Sequence, residues 1–543
     1  MNGKKLIAIL VLLLLMPGCG PAMPPDAKPG ARRNELRIGT TLPHTQFNAM
    51  TEEGAFGKMN YNSFTQAPFV ETQDHVQVKP YFAKSWEVSP DNRELLLTFV
   101  DNAVWHDGRP VTAEDVKFTF EYFKNLRKST YLQHLQQVEI VGADKVKLIF
   151  SQPLAFSALN KMSTFVFVYP KHIWEKVDNP RAYKGTDTTI GCGPYRFLSY
   201  DQASQTSHYQ AVDNHFRGKP TIDYISVRSF ATHAALVMAL KNGEIDAVYD
   251  YGNPLEAGVV GVLQGVASVE VGTSGDPGNY QLSFGFKTDP SRDIAFRRAV
   301  KYALNYPLMA STIGGYHGAV AGGGIIAPPN RGFRADMPPL RQDKEKAGQL
   351  LDGAGYVDRD HDGFRELPNG QPLEVAVTIR FGAAQKPVYL RLFEILQRDL
   401  QDIGVRVRLD GSVNNESLWS KRTAVDRDYE LYLGFTNAGI ASYDSAAYTL
   451  VSVAAGGWGT CDLPEYEAAF RQLLASRNYA EYDRQMHVLQ QFNDELVPGI
   501  ALCWNQIFYP YRTDRFNGWI YYLGWGVVNN QTWYQVKPVE QRQ

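Results

Sequence analysis

The sequence carries no excess of either charge. Its 55 Lys+Arg stand against 57 Asp+Glu, a formal net charge of −2, and no long basic run appears, which argues against nucleic acid as a partner. It also lacks the marks of the common catalytic sites: there is no G-x-S-x-G, no H-E-x-x-H and no phosphate-cradling P-loop. Gly322 to Ala327 (GGGIIA) fits G-x-G-x-x-A, but Pro328 and Pro329 follow at once, so no helix can open there to hold a phosphate. The 11 histidines are scattered without metal-ligand spacing. Asp358, Asp360, Asp362 and Gly363 give D-x-D-x-D-G, the opening of a calcium loop. Its twelfth position is Asn369, so the bidentate Glu is missing; the stretch reads as an exposed hairpin, and we assign no metal. These absences leave no cofactor and no enzyme to expect.

Long apolar runs are missing too, with one exception. Lys4 and Lys5 precede the run Leu6 to Met16, then Pro17, Gly18 and Cys19. That run is too short to span a bilayer and reads as a signal peptide over 1–18. Gly18-Cys19 resembles a bacterial lipobox, which makes Cys19 the expected lipid anchor. Residues 20–33 are rich in Pro, Gly and Ala and read as a flexible tether reaching at most ~45–50 Å. Cysteine is scarce, at 4 in 543 residues. In an exported chain Cys461 and Cys503 form the disulfide candidate; the other reading is three buried thiols, with Cys192. Length allows two or three domains, and 44% hydrophobic content suits a globular body.

The most informative stretch is Ala83 to Phe123. Ser89 to Asn92 is a turn cluster, and Leu95 to Val100 is a strand-length apolar run. Trp105 to Pro110 (WHDGRP) makes a tight loop. Thr112 then caps a helix, with Asp115 closing a capping box, and Val116, Phe120 and Phe123 mark its apolar face. Elsewhere Glu35 to Leu42 reads as a strand, and the segment VEIVGADKVKLIF as two strands around a turn. In Ala231 to Val248 a helix ends at Gly243 and a strand follows. Tyr280 to Phe286 is a strand, and Asp293 to Asn305 and Lys344 to Tyr356 are helices. Val388 to Leu409 is a long amphipathic helix, a stop at Gly404 and a strand. In Gly191 to Tyr195 (GCGPY) the paired glycines allow φ > 0 and Pro194 fixes a turn; we give this string a structural role.

The string from Ala83 through Trp86, Ser89, Asp91, Trp105, His106, Asp107, Gly108, Pro110, Val111, Thr112, Ala113, Asp115 and Val116 resembles the signature of the family 5 extracellular solute-binding proteins. These are the oligopeptide, dipeptide and nickel receptors of bacterial ABC importers. The resemblance covers residues 35 to 520 in order. It implies an α/β, two-lobed periplasmic-binding-protein fold with mixed sheets flanked by helices and a ligand cleft between the lobes. Domain I would gather 34–75, 190–275 and 515–543, domain II would be 76–189, and domain III 276–514. The implied function is capture of a peptide or peptide-like solute and delivery to ABC permease subunits by a monomer anchored in the periplasm or at the cell surface. The alternatives are a receptor for a nickel chelate, an oligosaccharide or an opine-like compound, a ligand sensor for a membrane receptor, or a cell-wall peptide hydrolase.

Peptide receptors of this family hold the peptide amine with an Asp in a pattern like G-W-x-x-D. Here Gly434-Phe435 stands at that place, Ala438 replaces the Asp, and the nearest acid is Asp444. The ligand-binding candidates by resemblance are therefore Phe435, Asn437, Tyr443 and Asp444, then Trp458, Trp419, His44 and Asn48. Trp105 is assigned to the core.

Overall fold

The computed structural model describes residues 34–42, 47–48, 64–73, 77–127, 132, 134–154, 166–180, 182–250, 255, 257–315, 318–328, 332–380, 386–436, 451–453, 459–522 and 526–540. Glu35–Thr40 (β1) opens a large mixed sheet, with Leu36 and Ile38 wholly buried on one face. Val70–Gln73 (β2) and Gln77–Pro80 (β3) pair as a hairpin. Ala83–Val88 (β4), Glu94–Phe99 (β5), Leu135–Gly142 (β6) and Lys145–Phe150 (β7) form an antiparallel sheet in the order β4-β5-β7-β6. In β5 the alternation of Leu95, Leu97 and Phe99 turns one face inward, as a half-buried strand requires.

Against that face lies the helix Ala113–Arg127, which buries Val116 and Phe120. Trp105 joins the same core at 2% exposure, as its sequence context suggested. The helix start departs from the expected capping box. Asp115 Oδ2 does accept the Thr112 amide at 2.9 Å, but the Thr112 hydroxyl donates to the same carboxylate at 2.8 Å. Asp115 Oδ1 accepts the Lys171 amide at 2.9 Å, so this residue also pins a distant loop.

The large sheet adds Tyr195–Asp201 (β8), Thr206–Ala211 (β9), Tyr224–Ser229 (β10), Ala247–Val248 (β11) and Val269–Phe284 (β12). Glu374–Ile379 (β13), Arg406–Leu409 (β14), Leu431–Thr436 (β15) and Gly499–Arg512 (β16) complete it. Its ten strands run β14-β13-β15-β12-β16-β11-β1-β10-β9-β8. A short pair, Phe516–Asn517 (β17) and Lys537–Pro538 (β18), follows. One half of the sheet packs Leu36, Ile38, Tyr195, Ile225, Val527 and Trp533 into one core, and Leu236, Leu240, Ile245 and Phe508 into another. The other half carries a separate, larger core built from the helices Ile294–Ala303, Lys344–Gly353, Lys386–Gln401 and Tyr479–Leu496. Most of these helices begin where the sequence supplies a side-chain oxygen: Asp293 accepts Ala295 N at 2.8 Å, Asp343 accepts Lys346 N at 2.9 Å and Asn478 accepts Glu481 N at 2.9 Å.

Asp246, wholly buried, locks the first half. It accepts the Arg37 amide at 2.9 Å, Arg37 Nε at 3.0 Å and Nη2 at 2.8 Å, and Arg515 Nη1 at 2.7 Å. Three segments distant in sequence are thereby held by one carboxylate.

His106 joins the signature loop to the G-x-G-P string. The His106 amide donates to Gly191 O at 2.8 Å, its Nε2 meets Gly193 O at 3.0 Å, and Gly191 N donates to His106 Nδ1 at 3.4 Å. Neither Gly191 nor Gly193 has a positive φ, so the reason for glycine differs from the one read in the sequence. A Cβ on Gly191 would stand 1.8 Å from Thr65 O, and one on Gly193 2.5 Å from Phe64 O. Close approach of two backbones is what excludes a side chain there.

Candidate functional site

Strand direction locates the site. β1 runs parallel to β10 and to β11, with Ile38 opposite Val227 and Ala247. β13 runs parallel to β15, with Val377 opposite Leu431. β16 is antiparallel to β11 at Ala247↔Tyr511 and to β12 from Val269↔Arg512 to Ser283↔Gly499. Passing along β11 to Tyr249 therefore moves back along β16, and Tyr249 stacks on Tyr509 at 6.3 Å. Passing along β15 to Thr436 moves along β12 to Asn279, which lies opposite Trp504. The register of the β12–β16 ribbon shifts between Gly275 and Asn279. The carboxyl ends of both parallel sets thus approach this crossing from opposite sides. Ligands of open α/β sheets bind beyond such carboxyl ends.

From the β1 side the crossing is faced by Asp250, 2% exposed. Its Oδ1 accepts the Thr40 hydroxyl at 3.1 Å and the Thr41 amide at 3.2 Å. Its Oδ2 accepts the Thr41 hydroxyl and meets His233 Nε2 at 3.0 Å. His233 opens the helix His233–Lys241, which Thr232 caps by accepting Ala235 N at 3.2 Å. One carboxylate thus fixes the ends of β1 and β11 and the helix start between them.

From the β13–β15 side comes an aromatic cluster. The Phe435 ring lies 5.1 Å from Tyr280, and Tyr280 lies 5.8 Å from Tyr389. Trp419 is buried beside Tyr429 and Tyr432, under the guanidinium of Arg380 at 5.9 Å. Burial pushes the Tyr432 hydroxyl up to about 12.

Of the residues chosen from sequence, Phe435 and Trp419 therefore stand on this side of the crossing. Asn48 is buried, and its amide nitrogen donates to Pro180 O at 2.7 Å and Tyr183 O at 2.8 Å, which ties its loop to the neighbouring unit. His44, Asn437, Tyr443, Asp444, Trp458 and Cys19 lie outside the described residues. The disulfide expectation fails: Cys461 and Cys503, like Cys192, are buried free thiols. Cys503 sits inside β16 opposite Tyr280, while Cys461 bridges to Ser452, and each is enclosed by the apolar core. Burial pushes both thiols up to about 12. Asp358, Asp360 and Glu366 bring carboxylate oxygens within 4.8 Å of one another, and Glu366 also accepts the Arg359 amide at 2.7 Å. Sequence reading missed Thr40, Thr41, His233, Asp250 and Arg380, which no local motif marks.

Two sheet halves with separate cores, joined through two continuous strands and presenting carboxyl strand ends to the crossing, define a two-lobed binding protein. No helix among the described residues is long and apolar enough to cross a membrane. The chain belongs to the bacterial extracellular solute-binding proteins, family 5, whose model matches residues 77–458. A Brucella ovis protein named as a peptide-binding protein of an ABC transporter is 25% identical over 370 residues, 65% of each chain. The match thus spans about two thirds of that relative's length. The dipeptide-binding protein of Escherichia coli K12 is 23% identical over 468 residues, 81% of this chain and 83% of its own. In fold, NikA from Brucella suis, solved with Fe(III)-EDTA, superposes with a TM-score of 0.78 at 20% identity, covering 93% of this chain and 100% of its own.

Proposed function

We propose that the protein is the capture subunit of an ABC importer, binding a peptide or peptide-like solute at the crossing and delivering it to membrane permease subunits without chemical change. The observation that carries this reading is the convergence of both sets of carboxyl strand ends on one two-strand crossing. Family membership and the names of the Brucella and E. coli relatives support the solute class. We also propose the three-domain division given above, a monomer, a signal peptide over 1–18 and a lipid anchor at Cys19 that holds the body outside the cell membrane. The replacement of the amine-binding Asp by Ala438 favours a second reading, in which the solute is a non-peptide such as a metal chelate or an opine-like compound.

The test is native mass spectrometry of residues 34–543, purified without added ligand. A spread of adducts at peptide masses, released on denaturation, is the expected result. A single non-peptide mass would select the second reading. A clean apo mass, together with no thermal shift from a tripeptide library, would refute peptide capture.

A further inference from the structure

The two lobes touch where neither carries charge. No Asp, Glu, Lys or Arg stands between Glu256 and Glu270, and none between Lys301 and Arg331, in a chain that is 21% charged. The first stretch belongs to the first lobe. Its short helix Ala257–Val260 buries Val260 in the core of Leu236, Leu240 and Ile245, and Ala257 packs against the same core. The second stretch belongs to the other lobe. There Asn305 caps the helix Tyr306–Gly314, accepting Leu308 N at 3.1 Å, and Tyr306, Met309 and Ala310 enter the large core.

The ends of these two helices meet. Gly315 follows the second with φ +56° and ψ −130°, a conformation that glycine alone adopts without strain. It is exposed, and a Cβ built on it would stand 3.3 Å from the Ala257 Cβ, inside the ~3.5–4.0 Å of ordinary carbon contacts. The approach is thus as close as two small residues allow. Both sides are mounted near the crossing. In the second lobe Trp504 N donates to Ala319 O at 3.0 Å, and Asn279 Nδ2 donates to Ile325 O at 2.9 Å. Asn279 and Trp504 are the pair at which β12 and β16 cross. In the first lobe Ala257 follows shortly after Asp250, beyond the carboxyl end of β11. The contact therefore lies on the cleft side of the crossing, at its rim.

We propose that Ala257 and Gly315 form a closing stop. The lobes swing about β12 and β16 and halt where these two residues meet, so their small size sets how far the cleft shuts. This rests on the reading of the protein as a solute-capturing receptor. The halt is steric, because the meeting stretches carry no ion pair to make or break. A larger side chain at position 257 holds the lobes apart. The fraction of molecules able to close then falls, and the apparent affinity for solute falls by the same factor. Gly258 provides the matched control: it lies in the same helical turn, but a Cβ there meets nothing within 4 Å.

Calorimetry and small-angle scattering on residues 34–543 test the stop. The probe is a tripeptide library; the proteins are wild type, Ala257→Val, Ala257→Trp and Gly258→Trp. We expect wild type to shrink in radius of gyration when saturated. Ala257→Trp should shrink less and bind at least tenfold more weakly, with Ala257→Val between the two and Gly258→Trp like wild type. That grading, with thermal unfolding of each protein, keeps misfolding from passing as a propped cleft. Closure and affinity of Ala257→Trp equal to wild type would overturn the stop and leave peptide capture standing. Tighter binding by Ala257→Trp would place the contact behind the hinge and overturn the stop as well. So would equal impairment in Gly258→Trp, or binding by wild type without any shrinkage. Failure of wild type to bind the library would overturn peptide capture, and the stop with it.

Discussion

Acid should loosen the joint between the WHDG loop and the G-C-G-P string, and His106 sets how much. Its ring is fully engaged as a neutral tautomer, with Nε2 donating to Gly193 O at 3.0 Å and Nδ1 accepting Gly191 N at 3.4 Å. A proton on Nδ1 would set two donors against each other. Burial lowers its pKa from 6.5 to about 4. The folded value is lowered, so the unfolded chain takes up the proton first as pH falls. Stability is complete above about pH 6.5 and is lost down to about pH 4. The loss from this one group works out at about 2 kcal/mol at pH 5 and approaches about 3 kcal/mol at pH 4. The assay is urea denaturation of residues 34–543 for wild type and His106→Gln at pH 7.5, 6 and 5. The variant should be less stable at pH 7.5 by roughly 1–2 kcal/mol, from hydrogen bonds left unmade. Its deficit should then shrink by about 2 kcal/mol by pH 5, since it has no proton to take up. Parallel curves for the two proteins across this range would refute the reasoning.

Asp246→Ala should cost about 3–5 kcal/mol, because Arg37 and Arg515 both lose their anion; thermal unfolding checks it, and a loss under about 1 kcal/mol would contradict the clasp. Glu71 is raised above its ordinary value, chiefly by burial and against the charge of Arg217. Its contribution is present at low pH and falls as pH rises through the folded value, so Glu71→Gln should gain on wild type as pH rises from 5 in the same urea titration. Ellman's reagent should find no fast-reacting thiol in native residues 34–543 and three after unfolding without reductant, matching three buried free cysteines; a count of one would restore the Cys461–Cys503 bridge.

The local elements could be read because their signals are local. Glu35 to Leu42 showed its alternation, and the observed strand differs only at its end. The helix read from Asp293 to Asn305 by its apolar face begins at Ile294, with Asp293 as its cap, and ends at Ala303. β12 was read only from Tyr280, yet it starts at Val269. Its first part carries glycines and a proline that read as loop, and pairing with β16 overrides that propensity. The site was less legible. Asp250 draws its partners from Thr40 and Thr41, 209 or more positions away, and no spacing rule connects them.

The lobe that begins the chain is also the one that ends it. Leu36 and Ile38 share a core with Val527, Trp533 and Val536, and Asp246 waits for Arg515 to complete its set of cations. A growing chain released from its N-terminus therefore cannot finish this lobe until almost its last residues are free. β12 likewise stays an unpaired edge along most of its length until β16 emerges. For this lobe, synthesis would run well ahead of folding, leaving its early strands unpaired while the rest of the chain is made. A chain that must pass through a narrow pore before taking its shape gains from that delay.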